Sequence, residues 1–123
     1  MAKYIPDAVM DAALNDIRNN ADKLHICAGQ PADYADVSSH SKGEVSLTSS
    51  DFTIADGDTS GRKITVGSQT VTPGADGTID HLVLVDVSES SIKAVTTIPS
   101  KAVTNGVSVT IEAFDLWEIR DPS

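Results

Sequence analysis

From Val107 to Ala113 apolar and polar residues alternate strictly: Val107, Val109, Ile111 and Ala113 point one way, and Ser108, Thr110 and Glu112 the other. A period of two marks a strand with one buried face. The apolar run goes on through Phe114, Leu116, Trp117 and Ile119. This predicts one long strand over Val107–Arg120, bent or bulged near Phe114–Asp115. The parity shift there means that Phe114 and Trp117 cannot both follow the inward register, so one of them is free to face a partner.

Ahead of that stretch, shorter runs predict strands over Lys23–Ala28, Val45–Thr48, Phe52–Ala55, Arg62–Val66, Gln69–Thr72, Thr78–Asp86, Ser91–Ile98 and Lys101–Thr104. Leu82–Val85 is continuously apolar, the mark of a central strand covered on both faces. Gly67-Ser68 and Asn105-Gly106 sit between such runs at the length of two-residue hairpin loops. The Asp56–Gly61 and Pro73–Gly77 stretches read as turns. Ala32–His40, with Tyr34 and Val37 as its large apolar anchors, reads as a loop with one helical turn.

Only the start of the chain has helical spacing. Val9, Met10, Ala13, Leu14 and Ile17 share one face, with Asp7, Asp11, Asn15 and Arg18 opposite. Pro6 suits a first helical turn, and Asp7 there complements the helix dipole. This apolar stripe has to lie on something, either the chain's own sheet or a neighbouring subunit. The expected fold is therefore mainly β: one domain of 123 residues, with a helical lead-in over 1–22 and an antiparallel β-sandwich or barrel-like body over 23–123.

Composition agrees with the pattern. Twelve Val, ten Ile and eleven Thr stand against six Leu, and β-branched side chains suit a pleated surface. The formal net charge of −9 is spread along the chain. Such a surface repels nucleic acid and anionic lipid, so neither is an expected partner. The chain has no apolar stretch near the roughly 20 residues a membrane helix needs. No signal peptide is expected from its opening, and Cys27, alone, reads as a small buried hydrophobe.

Candidate chemistry is sparse. Asp56, Asp58 and Ser60 copy the first half of a calcium loop, with Gly61 at its sixth position, but the twelfth is Gly67 where such loops need a bidentate Glu. A plain turn is the first reading and a bound cation the second. His25, His40 and His81 lack second ligands at metal spacing. No Ser sits in a strand-to-helix nucleophile elbow, and no Gly-rich loop cradles phosphate. The expectation is a non-enzymatic protein without a cofactor.

The Tyr4–Val37 stretch resembles the start of a family of small virion proteins of tailed bacteriophages, in which an amphipathic helix leads into a short strand. Asp11, Leu14, Ile17, Ile26, Cys27, Pro31, Tyr34 and Val37 carry the likeness, and the segments GDTSGRKITV, DHLVLVD and AVTNGVSVTIEAFDLWEIRDPS extend it. The resemblance implies a structural role in the virion, most specifically a head decoration or cement protein that clamps the outside of the major capsid protein shell as a homo-oligomer. Tyr4, Val9, Met10, Tyr34, Phe114 and Trp117 are then the candidate contact residues. A tail, collar or baseplate part and a carbohydrate-binding virion module are the alternatives.

Overall fold

The computed structural model describes residues 4–122; residues 1–3 and 123, and with them the ends of the predicted lead-in and tail, lie outside the described residues. The chain is mainly β, with antiparallel sheets and an N-terminal helix in a sandwich-like arrangement. Helix α1 (Asp7–Asn20) leads into β1 (Lys23–Cys27). Helix α2 (Tyr34–His40), β2 (Ser41–Ser46), β3 (Phe52–Asp56) and β4 (Arg62–Val66) follow. The chain continues with β5 (Gln69–Val71), β6 (Gly77–Asp86), β7 (Ser91–Val103), β8 (Val109–Ile111) and β9 (Phe114–Ile119).

Among the described residues three sheets form, β2-β1-β6-β7, β3-β4-β9 and β5-β8, and every pairing is antiparallel. The predicted central strand is where it should be. Leu82–Val85 lies in β6, between β1 and β7, and all four residues are buried. Leu24 opposite Leu84 and Ile26 opposite Leu82 turn one face of this sheet inward. There they meet Phe52, Ile64, Val66, Val71, Val109 and Ile111 from the other two sheets.

Helix α1 closes this core in cis. Leu14 and Ile17 join the main cluster, and the helix packs on β3, β4 and β7. Arg62 at the start of β4 holds Asp11 at 2.8 Å, and Lys93 of β7 holds Asp16 at 3.2 Å. The buried stripe is narrower than the predicted face. Met10, Leu14 and Ile17 are buried, while Val9 and Ala13 stay exposed. Residues 10, 14 and 17 form an i, i+4, i+7 line, enough to seal the gap the helix covers.

Five local expectations are corrected. Ala32–His40 is largely a helix: Asp33 caps α2 by accepting from the Asp36 N–H at 2.9 Å, and Asp36 accepts in return from Ala32 at 2.9 Å. Strand β2 begins at Ser41, four residues before the predicted start, and Ser49–Asp51 is a 3-10 turn whose Thr48 and Asp51 form a capping box. Ser91–Ile98 and Lys101–Thr104 fall in one strand, β7, on a sheet edge, and Pro99 sits where its pairing with β6 slips between Thr97 and Lys101.

Neither predicted hairpin pairs its flanking strands. Gly67-Ser68 carries the chain from β4 to β5, which belong to different sheets. Asn105-Gly106 does form a tight turn, with Val107 donating to Thr104 at 3.0 Å, but only Gly106 has positive φ (82°). A type I′ hairpin needs positive φ at both central residues. This turn is instead tied to the 73–76 loop, where Gly106 donates to the Pro73 carbonyl at 2.9 Å and Asn105 to Asp76 at 2.7 Å.

The predicted long strand Val107–Arg120 is two strands. Strand β8 pairs with β5, and β9 pairs with β4. Between them Glu112 and Ala113 are exposed, and the chain changes sheets there. A bulge does occur near the predicted place: the β4–β9 register slips between Ile64 and Thr65, opposite Trp117 and Asp115, leaving Leu116 as the extra residue.

Candidate functional site

Strand β9 is an edge strand, and among the described residues only β4 pairs with it. Its bulge sets what each side chain can do. Phe114, Leu116 and Ile119 pack against the core, so the inward spacing is two and then three. The extra residue sets Trp117 opposite Ile64 and leaves it 47% exposed on the strand edge, while Phe114 packs on the core.

The carboxylates of β9 belong to a lattice of ion pairs. Lys63 bridges Asp58 at 2.8 Å and Asp115 at 3.3 Å, and Thr65 donates to Asp115 at 2.9 Å. The Thr65 hydroxyl first, then Lys63, holds the Asp115 carboxyl below its usual value, and Asp58 and Asp115 push the Lys63 ammonium up. Glu118 accepts from the Asp58 N–H and, at 3.2 Å, from the Thr59 N–H, and also pairs with Arg120. Arg120 first, then the Thr59 N–H, lowers the Glu118 carboxyl.

The Asp56–Gly61 stretch is thus a turn stapled to β9. Gly57 donates to the Gly61 carbonyl at 2.9 Å, and Ser60 Oγ accepts from the Asp121 N–H at 3.1 Å. Gly61, at φ 70°, sits so close to Ile119 that a Cβ there would lie 1.8 Å from its carbonyl oxygen. In the Asp56, Asp58 and Ser60 cation candidate, Asp56 pairs with Arg62 and Asp58 with Lys63, each at 2.8 Å through one carboxylate oxygen. No group of three or more His, Cys, Asp or Glu side chains gathers at metal distance among the described residues.

The other contact candidates scatter. Tyr4 (72%) and Val9 (59%) are exposed at the start of the chain. Met10, at 2% exposure, is spent inside this chain's own fold, so it is removed from the contact set. Tyr34 packs with Val37 onto the outer face of the four-stranded sheet, over Cys27, Val83 and Val85.

That outer face holds two polar constellations that sequence reasoning missed. His40 faces the Ala28 carbonyl through Nδ1 (2.8 Å) and Asp36 through Nε2 (3.1 Å), while Asp80 accepts from the Gly29 N–H (2.8 Å) and contacts His81 (2.7 Å). With two acceptors facing its ring, the His40 pKa is raised, first by the Ala28 carbonyl. His25 Nδ1 lies 2.8 Å from Ser41 Oγ, and its Nε2 lies 3.4 Å from Glu44, at the mouth of an open cleft of about 400 Å³. Burial lowers the His25 pKa. The Asp33-x-x-Asp36-x-x-x-His40 spacing was a readable capping and i, i+4 signal for the first constellation. The second needed the β1–β2 register, which sets His25 opposite Glu44.

Fold and surface together define an antiparallel, mainly β protein with a displayed aromatic on a strand edge. A scan against protein-family models returns no match, and no curated protein and no solved structure matches either. No helix among the described residues is long and apolar enough to cross a membrane.

Proposed function

We propose that this chain is a non-enzymatic structural protein of a tailed-bacteriophage virion, most specifically a decoration protein that binds the outer surface of the major capsid protein shell. The observation that carries the reading is Trp117, displayed 47% exposed on an edge strand whose neighbouring carboxylates are already held by Lys63, Thr65 and Arg120. Large aromatics concentrate binding energy at interfaces, and an unpaired strand edge offers main-chain groups to a partner. The β9 edge is accordingly an assembly edge. The net charge of −9 suits the outside of a DNA-filled head. On a lattice, many weak contacts add up to firm attachment by avidity. The resemblance of Tyr4–Val37 and the three later segments to phage virion proteins points to the same setting.

Copy number in purified particles tests this, by quantitative mass spectrometry against the major capsid protein. A ratio near one, or a simple lattice fraction of it, is expected. A ratio of a few copies per particle moves the protein to the tail, collar or baseplate. Absence from the particle overturns the virion role.

A further inference from the structure

Asn105 is the one Asn in the chain that is followed by Gly, and its turn carries two opposed features. The first is chemical. The side-chain carbonyl of an Asn lies within reach of the next residue's backbone nitrogen, and their reaction closes a five-membered imide. A Cβ on that next residue crowds the nitrogen; Gly leaves it open. Thr104 to Ser108 are all exposed, and a Cβ on Gly106 would meet nothing within 4 Å. Water and the Asn105 side chain therefore have room to move. The second feature is restraint. Val107 donates to the Thr104 carbonyl at 3.0 Å, and positive φ at Gly106 alone is the pattern of a type II turn. The Gly106 N–H, which carries the attacking nitrogen, is held by the Pro73 carbonyl at 2.9 Å, and the Asn105 N–H by Asp76 Oδ1 at 2.7 Å. Ring closure needs the Gly106 nitrogen released from its acceptor and turned toward the Asn105 side chain. The docked turn is unreactive and the opened one is reactive.

We propose that Asn105 is a site of spontaneous deamidation, gated by the docking of its turn on the 73–76 loop. In the opened turn the Gly106 nitrogen forms a bond to Asn105 Cγ. The bond from Cγ to the side-chain amide nitrogen breaks, and ammonia leaves with the Gly106 amide proton. Water then opens one of the two imide C–N bonds. The product is aspartate or, with the main chain rerouted through the side chain, isoaspartate. Water is the only co-reactant.

Either product docks less firmly than the residue it replaces. Each adds a negative charge to a turn that rests on the Asp76 carboxylate, and isoaspartate also lengthens the main chain there by one methylene. The reaction is a one-way loosening of the contact between the 105 turn and the 73–76 loop. That loop supplies Gly74 and Ala75 to the wall of the His25 cleft, and Gly74 donates to the Lys42 carbonyl at 2.8 Å. The loosening therefore reaches β2 and the cleft beside it. Nothing in this chemistry needs a capsid, so it stands or falls apart from the virion role.

The test is peptide mapping by mass spectrometry on the purified full chain, with aspartate and isoaspartate products separated by chromatography. The chain is incubated at pH 7.5 in buffer and, in parallel, in guanidinium chloride that unfolds it. In denaturant, position 105 is expected to convert ahead of Asn15, Asn19 and Asn20, which precede Asp, Asn and Ala and serve as internal references. In buffer its conversion should be roughly tenfold slower or more, the ratio following from the free energy of opening the turn. Asp76→Ala removes the acceptor of the Asn105 N–H and leaves Asn105-Gly106 intact, so it should speed conversion in the folded chain by about threefold or more. Asn105→Asp installs one product directly and should raise amide exchange at Gly106. If Asp76→Ala unfolds, the ratio between buffer and denaturant still decides. Equal rates in the two solvents, or a folded Asp76→Ala chain that converts no faster than the original, overturns the gating. Conversion at position 105 in denaturant no faster than at the reference asparagines overturns the site itself.

Discussion

Leu82 and Leu84 of β6 look into the space between the sheets; Val83 and Val85, their immediate neighbours, look outward onto α2. The inner face meets apolar side chains from two other sheets and from α1, a layer with no titratable group among its buried members. The outer face has only Cys27, Val37, Val83 and Val85 as its buried cluster, with Tyr34, Ile92 and Val95 at its margin. What completes it is polar: the His40–Asp36 and His81–Asp80 contacts and the His25–Glu44 pair. One strand thus feeds two layers of different physics. The inner one depends on packing alone, and the outer one depends on protonation as well.

Truncations separate the two layers most sharply. Leu84→Ala on the inner face opens a cavity where three sheets converge and should cost about 3 kcal/mol, read from urea unfolding. Val83→Ala, one residue away, removes less from a thinner layer and should cost roughly 1.5 kcal/mol. Equal costs would erase the distinction between the faces.

Acidity sharpens the comparison further. His40 has a raised pKa, so its contribution is fully present below the unfolded value of about 6.5 and is lost as pH rises through the folded one. Asp36 is lowered, first by the Ala32 N–H, and Asp80 first by His81; their contributions are present above about pH 3.9 and are lost as pH falls through the folded values. The α2 clasp is therefore firmest from roughly pH 4 to 6.5. His25 runs the other way. Its pKa is lowered by burial, so it favours the folded state above about 6.5 and opposes it as the ring must charge in acid. Amide exchange at pH 5 and pH 8, corrected for intrinsic rates, should show α2 and the 28–33 loop less protected at pH 8. The amides of β6 should hold. His40→Gln should abolish the difference.

The smallest effect is chemical. Cys27 has no exposed surface, and burial first, with the nearby Asp80 charge, pushes its thiol up to about 11. Little thiolate exists at neutral pH, so alkylation at pH 7.5 should be slow and should follow opening of the outer layer. Val83→Ala should speed it more than Leu84→Ala does, relative to the stability each removes.

Much of this fold was legible because burial leaves a period behind. The Leu82–Val85 run announced a strand covered on both faces, and Met10, Leu14 and Ile17 announced the helix stripe. The helix was harder to place: its apolar face fits a sheet in cis or in trans equally well, and contacts with β3, β4 and β7 decided it. Helix α2 was missed because seven residues with a single buried position, Val37, carry almost no periodicity. Its signal was the reciprocal Asp33–Asp36 cap. The surface was half legible. Parity showed that Phe114 and Trp117 part ways, but not which one stays exposed, since that depends on where β9 absorbs its extra residue against β4.

By itself, then, the chain determined its element types, its central strand, its one amphipathic helix and its acidic surface, because each is a property of neighbouring residues. Partnership between strands was decided only in three dimensions. Turn chemistry at Gly67-Ser68 and Asn105-Gly106 is local, yet the strands on either side belong to different sheets. The stretch from Val107 to Arg120 reads as a single strand until Glu112 and Ala113 hand it from one sheet to another. Alternation states that a face is buried without naming what covers it. Cross-strand hydrogen bonds and the space left by every other element make that choice.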